Sequence, residues 1–340
     1  MNKTIKLVIV IAIVAIIAIG GALLVSQKGD LTKSQKQAVS GQPIKIGIIV
    51  YPGFAPFFIA EEKGYFEKEG VNAEVVIIND PVQAVSALAG NDVQMLFSSA
   101  DFTAYISDAG VSIKEIFASD IGYGSDGLLV KNDVNSINDL KGKTVHLSMG
   151  TPSHFLLRYL TEQEGLKGGD INMIQMEADQ VGVAFVAKKI DYGMSWEPWL
   201  SKASERDDGK VLFSSKDKPG IITDTFIVRS DILKSRRNDV KAVVRAWFDS
   251  IDFLEANPRE ANAIMAKNLG LPIEDFEAQV ATVKFLDYSE NLIKFDEKAD
   301  LNLFTLTKEA VKIYKEDGII TKDIKAQDIV DSSVLKELYK

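Results

Sequence analysis

From Ile44 onward, short runs rich in β-branched residues alternate with segments whose apolar residues recur at helical spacing. This alternation restricts the fold more than any other feature of the chain. "IKIGIIV" (44–50) reads as a buried strand ended by the turn residues "YPG". "FAPFFIAEEKGYFEKEG" follows with helical spacing, and "AEVVII" supplies a second strand. The unit then repeats as helix "PVQAVSALAG", strand "VQMLFSS", helix "ADFTAYISDAG" and strand "SIKEIFAS". Strand–helix–strand units of this kind build a parallel sheet covered by helices, an α/β fold whose ligand crevice lies at the carboxyl ends of the strands.

A second, shorter unit starts near "GLLVKNDVNSINDLKGKTVHLSMG" and runs through "TPSHFLLRYLTEQEG", "INMIQME", "DQVGVAFVAKK" and "IDYGMS". "TDTFIVR" (223–229) reads as one more strand, and beyond Ser230 the periodicity is nearly all helical. The simplest arrangement is two lobes joined by two extended crossings, near "DGLLV" and "DTFIV". The expected boundaries are 43–126 with 225–340 for the first lobe and 127–224 for the second. A two-crossing hinge of this sort permits closure over a ligand.

The first 42 residues are of another kind. Lys3 and Lys6 precede an uncharged apolar run from Leu7 to Val25, about the length that spans a bilayer as one helix. Residues 1–27 are therefore expected to form a retained membrane anchor with the short amino-terminal side in the cytoplasm, in preference to a cleaved signal peptide, whose apolar region is usually shorter. Residues 28–42 read as a flexible polar linker. On either reading the body lies outside the cytoplasm. The net charge of −9 argues against a nucleic-acid partner, because phosphate contacts need clustered Lys and Arg. With no Cys there is no disulfide, no thiolate nucleophile and no Cys-ligated metal.

The segments "YPGFAPFFIAEEKGYFEKEG", "LAGNDVQMLFSSADF", "DLKGKTVHLSMGTPSHFLLRYL" and "SWEPWLS", in this order and spacing, resemble the type II periplasmic binding proteins of ABC importers, within the group that takes nitrate, sulfonates, taurine and thiamine precursors. The resemblance covers about residues 43 to 320. It implies a solute-binding protein that captures one small polar molecule between its lobes and passes it to a membrane permease and its ATPase, with no cofactor, metal or catalytic residue of its own. Within the group, sulfonate-like or taurine-like solutes fit best, with nitrate, bicarbonate or a thiamine-precursor aminopyrimidine as alternatives. Thiamine-pyrimidine synthases share the fold and form a remote alternative, but they carry a cysteine-rich iron motif that this chain cannot supply.

Individual residues give the same picture a chemical form. In "SMGTPSHFLL", Gly150 turns the chain tightly and a helix opens whose free N–H groups suit an anionic group. Thr151 and Ser153 add hydroxyls there, either as donors to a solute or as caps for the helix. His154 is a structural histidine or a solute contact; sulfonate and taurine binders resemble this chain in carrying a histidine at this place. Ser98 and Ser99 end a strand of the first lobe. "SWEPW" follows the last strand of the second lobe: Trp196 is expected to wall the site with Glu197 beside it, Pro198 to start a helix and Trp199 to face the core. Tyr51 and Phe54 would form the opposite wall. Glu197, Asp224, Asp126 and Asp101 all fall near strand ends or crossings, which favours a solute with a cationic or N–H-donating end. Arg229 is the one arginine at an expected strand end, so bidentate clamping of an anion has little support.

Overall fold

The structure, a computed structural model, describes residues 41–197, 199–203 and 206–339. The expected anchor, residues 28–40 of the linker, and Pro198 lie outside the described residues. Among those described, no helix is long and apolar enough to cross a membrane.

Among the described residues, eleven strands form two sheets. The larger contains β1 (Ile44–Ile48), β2 (Ala73–Ile77), β3 (Met95–Ser99), β4 (Ile113–Gly122), β10 (Thr223–Arg229) and β11 (Val283–Phe285), in the order β11-β4-β10-β3-β1-β2. The smaller contains β5 (Asp126–Lys131), β6 (Thr144–Leu147), β7 (Asn172–Gln175), β8 (Tyr192–Trp196) and β9 (Gly209–Ser214), in the order β7-β6-β8-β5-β9. The chain therefore passes from one sheet to the other twice, between Gly122 and Asp126 and between Ser214 and Thr223. Ser215 stitches these crossings together: its Oγ accepts the Gly124 N–H at 2.9 Å and its N–H donates to the Asp126 carbonyl at 2.8 Å.

In the larger lobe β1, with three β-branched residues in five, is buried along its length except at Lys45, and pairs in parallel with both β2 and β3. Seven helices of the two lobes bear on the site: α1 (Pro56–Lys63), α2 (Pro81–Gly90), α3 (Phe102–Asp108), α6 (Arg237–Ala256) and α7 (Leu303–Glu316) beside the larger sheet, and α4 (Pro152–Gln163) and α5 (Ala178–Val186) beside the smaller. Along α6, Val240, Val243, Val244, Trp247 and Ile251 recur at helical spacing and are all buried. Trp247 enters an aromatic cluster with Phe57, Phe117 and Phe226, at ring-centroid separations of 4.8, 5.3 and 5.7 Å. This core fixes the strands whose ends carry the polar residues described next.

Candidate functional site

Strand register gathers a row of polar side chains at one end of the larger sheet. β10 runs antiparallel between β3 and β4, and Asp224 stands opposite Ser99 on one side and Asp120 on the other. Residues directly opposite across antiparallel strands share a face, so Ser99, Asp224 and Asp120 form one row at the carboxyl ends of β3 and β4. Tyr51, just beyond β1, brings its hydroxyl to 3.5 Å from Asp120 Oδ1. From the other side of the first crossing comes Asp126, the opening residue of β5, whose register partner on β8 is Trp196. Three expected residues from the larger lobe, Ser99, Asp224 and Tyr51, and Asp126 with its register partner Trp196 from the smaller thus gather around a sixth, Asp120, which lies one residue past the run read as a strand.

The electrostatics of this group are unusual. Asp120, Asp126 and Asp224 are all buried, and among the described residues no lysine or arginine pairs with any of them. Burial pushes the Asp120 carboxyl up to about 7 although Ser119 donates to it at 2.8 Å and Asp224 shares a hydrogen bond with it. Burial likewise raises Asp126 to about 6, against a hydrogen bond from Ser125 at 2.7 Å. Asp224 is held well above the carboxylate range by burial and then by the neighbouring Asp120 and Asp126 charges. Two buried carboxyls side by side resist ionising together, which is why both are raised. Among the described residues no group of three or more His, Cys, Asp or Glu could hold a metal ion.

Space is as tight as charge. A Cβ on Gly53 would lie 2.3 Å from Asp120 Oδ2 and 2.4 Å from Tyr51 Cε1. Gly53→Ala is expected to push Tyr51 and Asp120 apart at a cost of about 1–3 kcal/mol. Melting curves and solute titrations of that variant should show weakened capture together with the loss of stability; unchanged affinity would mean that Tyr51 and Asp120 take no part in binding.

The remaining expected residues sort by where they point. Successive strand residues face opposite sides of a sheet, so Ser98 turns away from Ser99 and its Oγ lies 3.0 Å from that of Thr103, within a buried network that includes Glu115. Phe54 does not stand as a wall: it is 2% exposed, packed among Tyr51, Phe97 and Phe226. Glu197 accepts from the Ser201 N–H and hydroxyl, both at 3.0 Å. Thr151 precedes α4 and donates to the Ser148 carbonyl, leaving the helix without a side-chain cap, while the buried Ser153 Oγ has no protein partner. His154 is 0% exposed, with Nδ1 accepting from the Gly150 N–H at 3.2 Å and Nε2 at 2.9 Å from Asp317. Both ring nitrogens are therefore committed within the protein. Asp101 takes the Tyr314 hydroxyl at 2.8 Å, and that hydroxyl also lies 3.0 Å from the Thr151 carbonyl, so the start of α4 sits at the same crevice as the strand ends. Arg229 lies at the far end of β10, bound to Asp231.

Comparison with known proteins matches this geometry to a family. A relative from Brucella abortus, named as a binding protein, is 30% identical over 269 residues, which is 76% of this chain and 82% of that protein. The taurine-binding periplasmic protein of Escherichia coli is 26% identical over 65% of this chain and 70% of its own length. The crystal structure of the periplasmic aliphatic sulphonate binding protein from Escherichia coli superposes with a TM-score of 0.70 at 17% identity, covering 88% of this chain and 100% of that one. The two-lobe α/β architecture is thus the periplasmic-binding-protein fold. The family model described as NMT1/THI5 like matches residues 51–261. With a match across most of both lobes and a relative of that identity and coverage, the chain belongs to the NMT1/THI5-like family.

Proposed function

We propose that this protein is the extracytoplasmic solute-binding component of an ABC importer, held at the membrane by its amino-terminal segment, and that it takes a small zwitterionic solute of the aminosulfonate class between its lobes and delivers it to the permease. The observation that carries this reading is the set of three buried carboxyls, Asp120, Asp126 and Asp224, contributed from both sides of the crossings without a basic partner among the described residues. A bare anion such as nitrate or bicarbonate would be repelled there, whereas an ammonium group receives charge-assisted hydrogen bonds. The uncapped start of α4, with the unpartnered Ser153 hydroxyl, supplies orphan donors for a sulfonate at the other end. The aromatic faces of Tyr51 and Trp196 suit the short apolar stem and the cation. A second reading, an aminopyrimidine, is favoured by one feature: the Asp120–Asp224 pair presents a donor beside an acceptor, the pattern that an amino group next to a ring nitrogen requires.

A thermal-shift panel of taurine, alkanesulfonates, aminopyrimidines, nitrate and bicarbonate tests the proposal. A ligand at a hundred times its dissociation constant stabilises the folded state by about 2.7 kcal/mol. Taurine or an aminopyrimidine is expected to raise the melting temperature. A response to nitrate or bicarbonate alone overturns the zwitterion reading, and chemical conversion of a bound compound overturns the assignment as a pure binder.

A further inference from the structure

A buried ionic cluster joins the lobes beside the start of α4. Asp317 follows α7, which is rooted in the larger lobe: Tyr314 bonds to Asp101, and Asp108 at the end of α3 accepts from the Thr321 and Lys322 N–H groups at 3.0 and 2.8 Å. The Asp317 carboxylate nevertheless reaches into the smaller lobe. Its Oδ2 accepts from Arg158 Nε at 2.7 Å and from His154 Nε2 at 2.9 Å, both on α4. The side chains of Arg158, His154 and Asp317 are 3%, 0% and 7% exposed. Burial pushes the Asp317 carboxyl up, and the hydrogen bonds from His154 and Arg158 more than offset it, so it stays below the usual carboxylate range. Arg158 also reaches Glu162 and Glu316, each at 3.3 Å. His154 continues the chain of contacts. Because the Gly150 N–H donates to Nδ1, the imidazole proton sits on Nε2 and points at Asp317. Gly150 itself holds φ +75, a left-handed conformation that other residues rarely adopt.

We propose that Arg158 and Asp317 are positioning residues for solute capture, fastening the Gly150–His154 turn of the smaller lobe to the end of α7 in the larger one. The proposal rests on the reading above for the role of that turn in binding, but the fastening itself does not. A buried ion pair that loses one partner leaves the other charge uncompensated. Removing the Asp317 charge leaves His154 without its carboxylate and Arg158 with only Glu162 and Glu316, which loosens the lobes and the turn and shortens the lifetime of the bound state more than it slows encounter.

The chain has no Cys, so a Val82→Cys/Val183→Cys pair, at exposed positions on α2 and α5, carries two spin labels without background. In the full-length labelled chain, Asp317→Asn is expected to lengthen and broaden the interlobe distance without solute and to raise the taurine off-rate at least tenfold, with the on-rate changed less than about threefold. Asp317→Glu should restore both in large part. If Asp317→Asn does not fold, Arg158→Lys, which keeps the charge but loses the fork, takes its place with the same expectation. A distance distribution identical to the parent's, with only the melting temperature lowered, overturns the proposal. If taurine does not bind the parent at all, the solute reading fails, and the distance measurement still decides the fastening.

Discussion

Raising the pH from 5 to 8 is expected to lower the melting temperature of the solute-free protein, the reverse of ordinary acid denaturation. The carboxyls of Asp120 and Glu115 are raised to about 7 and that of Asp126 to about 6, in each case first by burial, and burial also holds Asp224 well above the carboxylate range. A group whose folded pKa exceeds its unfolded value binds its proton more tightly in the native state. Its stabilisation is complete below the unfolded value, near 4, and is lost as the pH rises through the folded value. One proton per pH unit is worth about 1.4 kcal/mol, so a single carboxyl moved from about 4 to about 7 costs on the order of 3 kcal/mol between pH 5 and 8. Surface carboxylates with lowered values, such as Asp139 and Asp208, act in the opposite sense, but their window closes below pH 5. Asp120→Asn keeps the shape and removes one titrating carboxyl of the pair, so its melting temperature should vary less with pH. Melting curves at half-unit intervals for both proteins make the check. A parent curve that rises or stays flat across the window would show that the carboxyls are not held protonated.

The repeating units were legible because burial on both faces leaves a mark on sequence. The runs read as strands at "IKIGIIV", "VQMLFSS" and "TDTFIVR" contain or coincide with β1, β3 and β10, and "PVQAVSALAG" coincides with α2. Gly64, at φ +72, breaks the first helix region into Pro56–Lys63 and Tyr65–Lys68. β9 was missed because it lies at the edge of its sheet and shows no alternation in burial, and β11 because three residues carry too little pattern. The site was legible where it depended on strand ends and illegible where it depended on register. Asp120 lies one residue past the run "SIKEIFAS", so extending that strand by a single position would have found it. Its pairing with Asp224 is set by the antiparallel register of β4 and β10, which no local pattern encodes. Ser98 and Ser99 looked equivalent as neighbours, but the pleat sends one to the helix side and the other to the row. His154 and Asp317 lie 163 residues apart, and nothing in the spacing of either announces the other.

The three tryptophans of the chain are expected to respond to alanine in three different ways. Trp196 is 38% exposed at the end of β8 and shares a register pair with Asp126. Its replacement should leave the solute-free protein nearly as stable and weaken solute binding by about 1–3 kcal/mol through lost ring contact and desolvation. Trp247 is fully buried within the Phe57, Phe117 and Phe226 cluster. Trp247→Ala leaves a cavity there and should cost about 3–5 kcal/mol of stability, with affinity unchanged in whatever fraction remains folded. Trp199 lies between these limits: it packs so closely on α5 that a Cβ on Gly182 would stand 2.3 Å from its own, and Lys202 Nζ lies 4.5 Å from its ring. Trp199→Ala should therefore lose stability, by less than Trp247→Ala, and change affinity little. Melting and titration of the three variants with a solute that binds the parent separate the roles. If Trp196→Ala lowers the melting temperature as much as Trp247→Ala does and leaves affinity untouched, the ring at position 196 is a packing element and the site must be bounded by other residues.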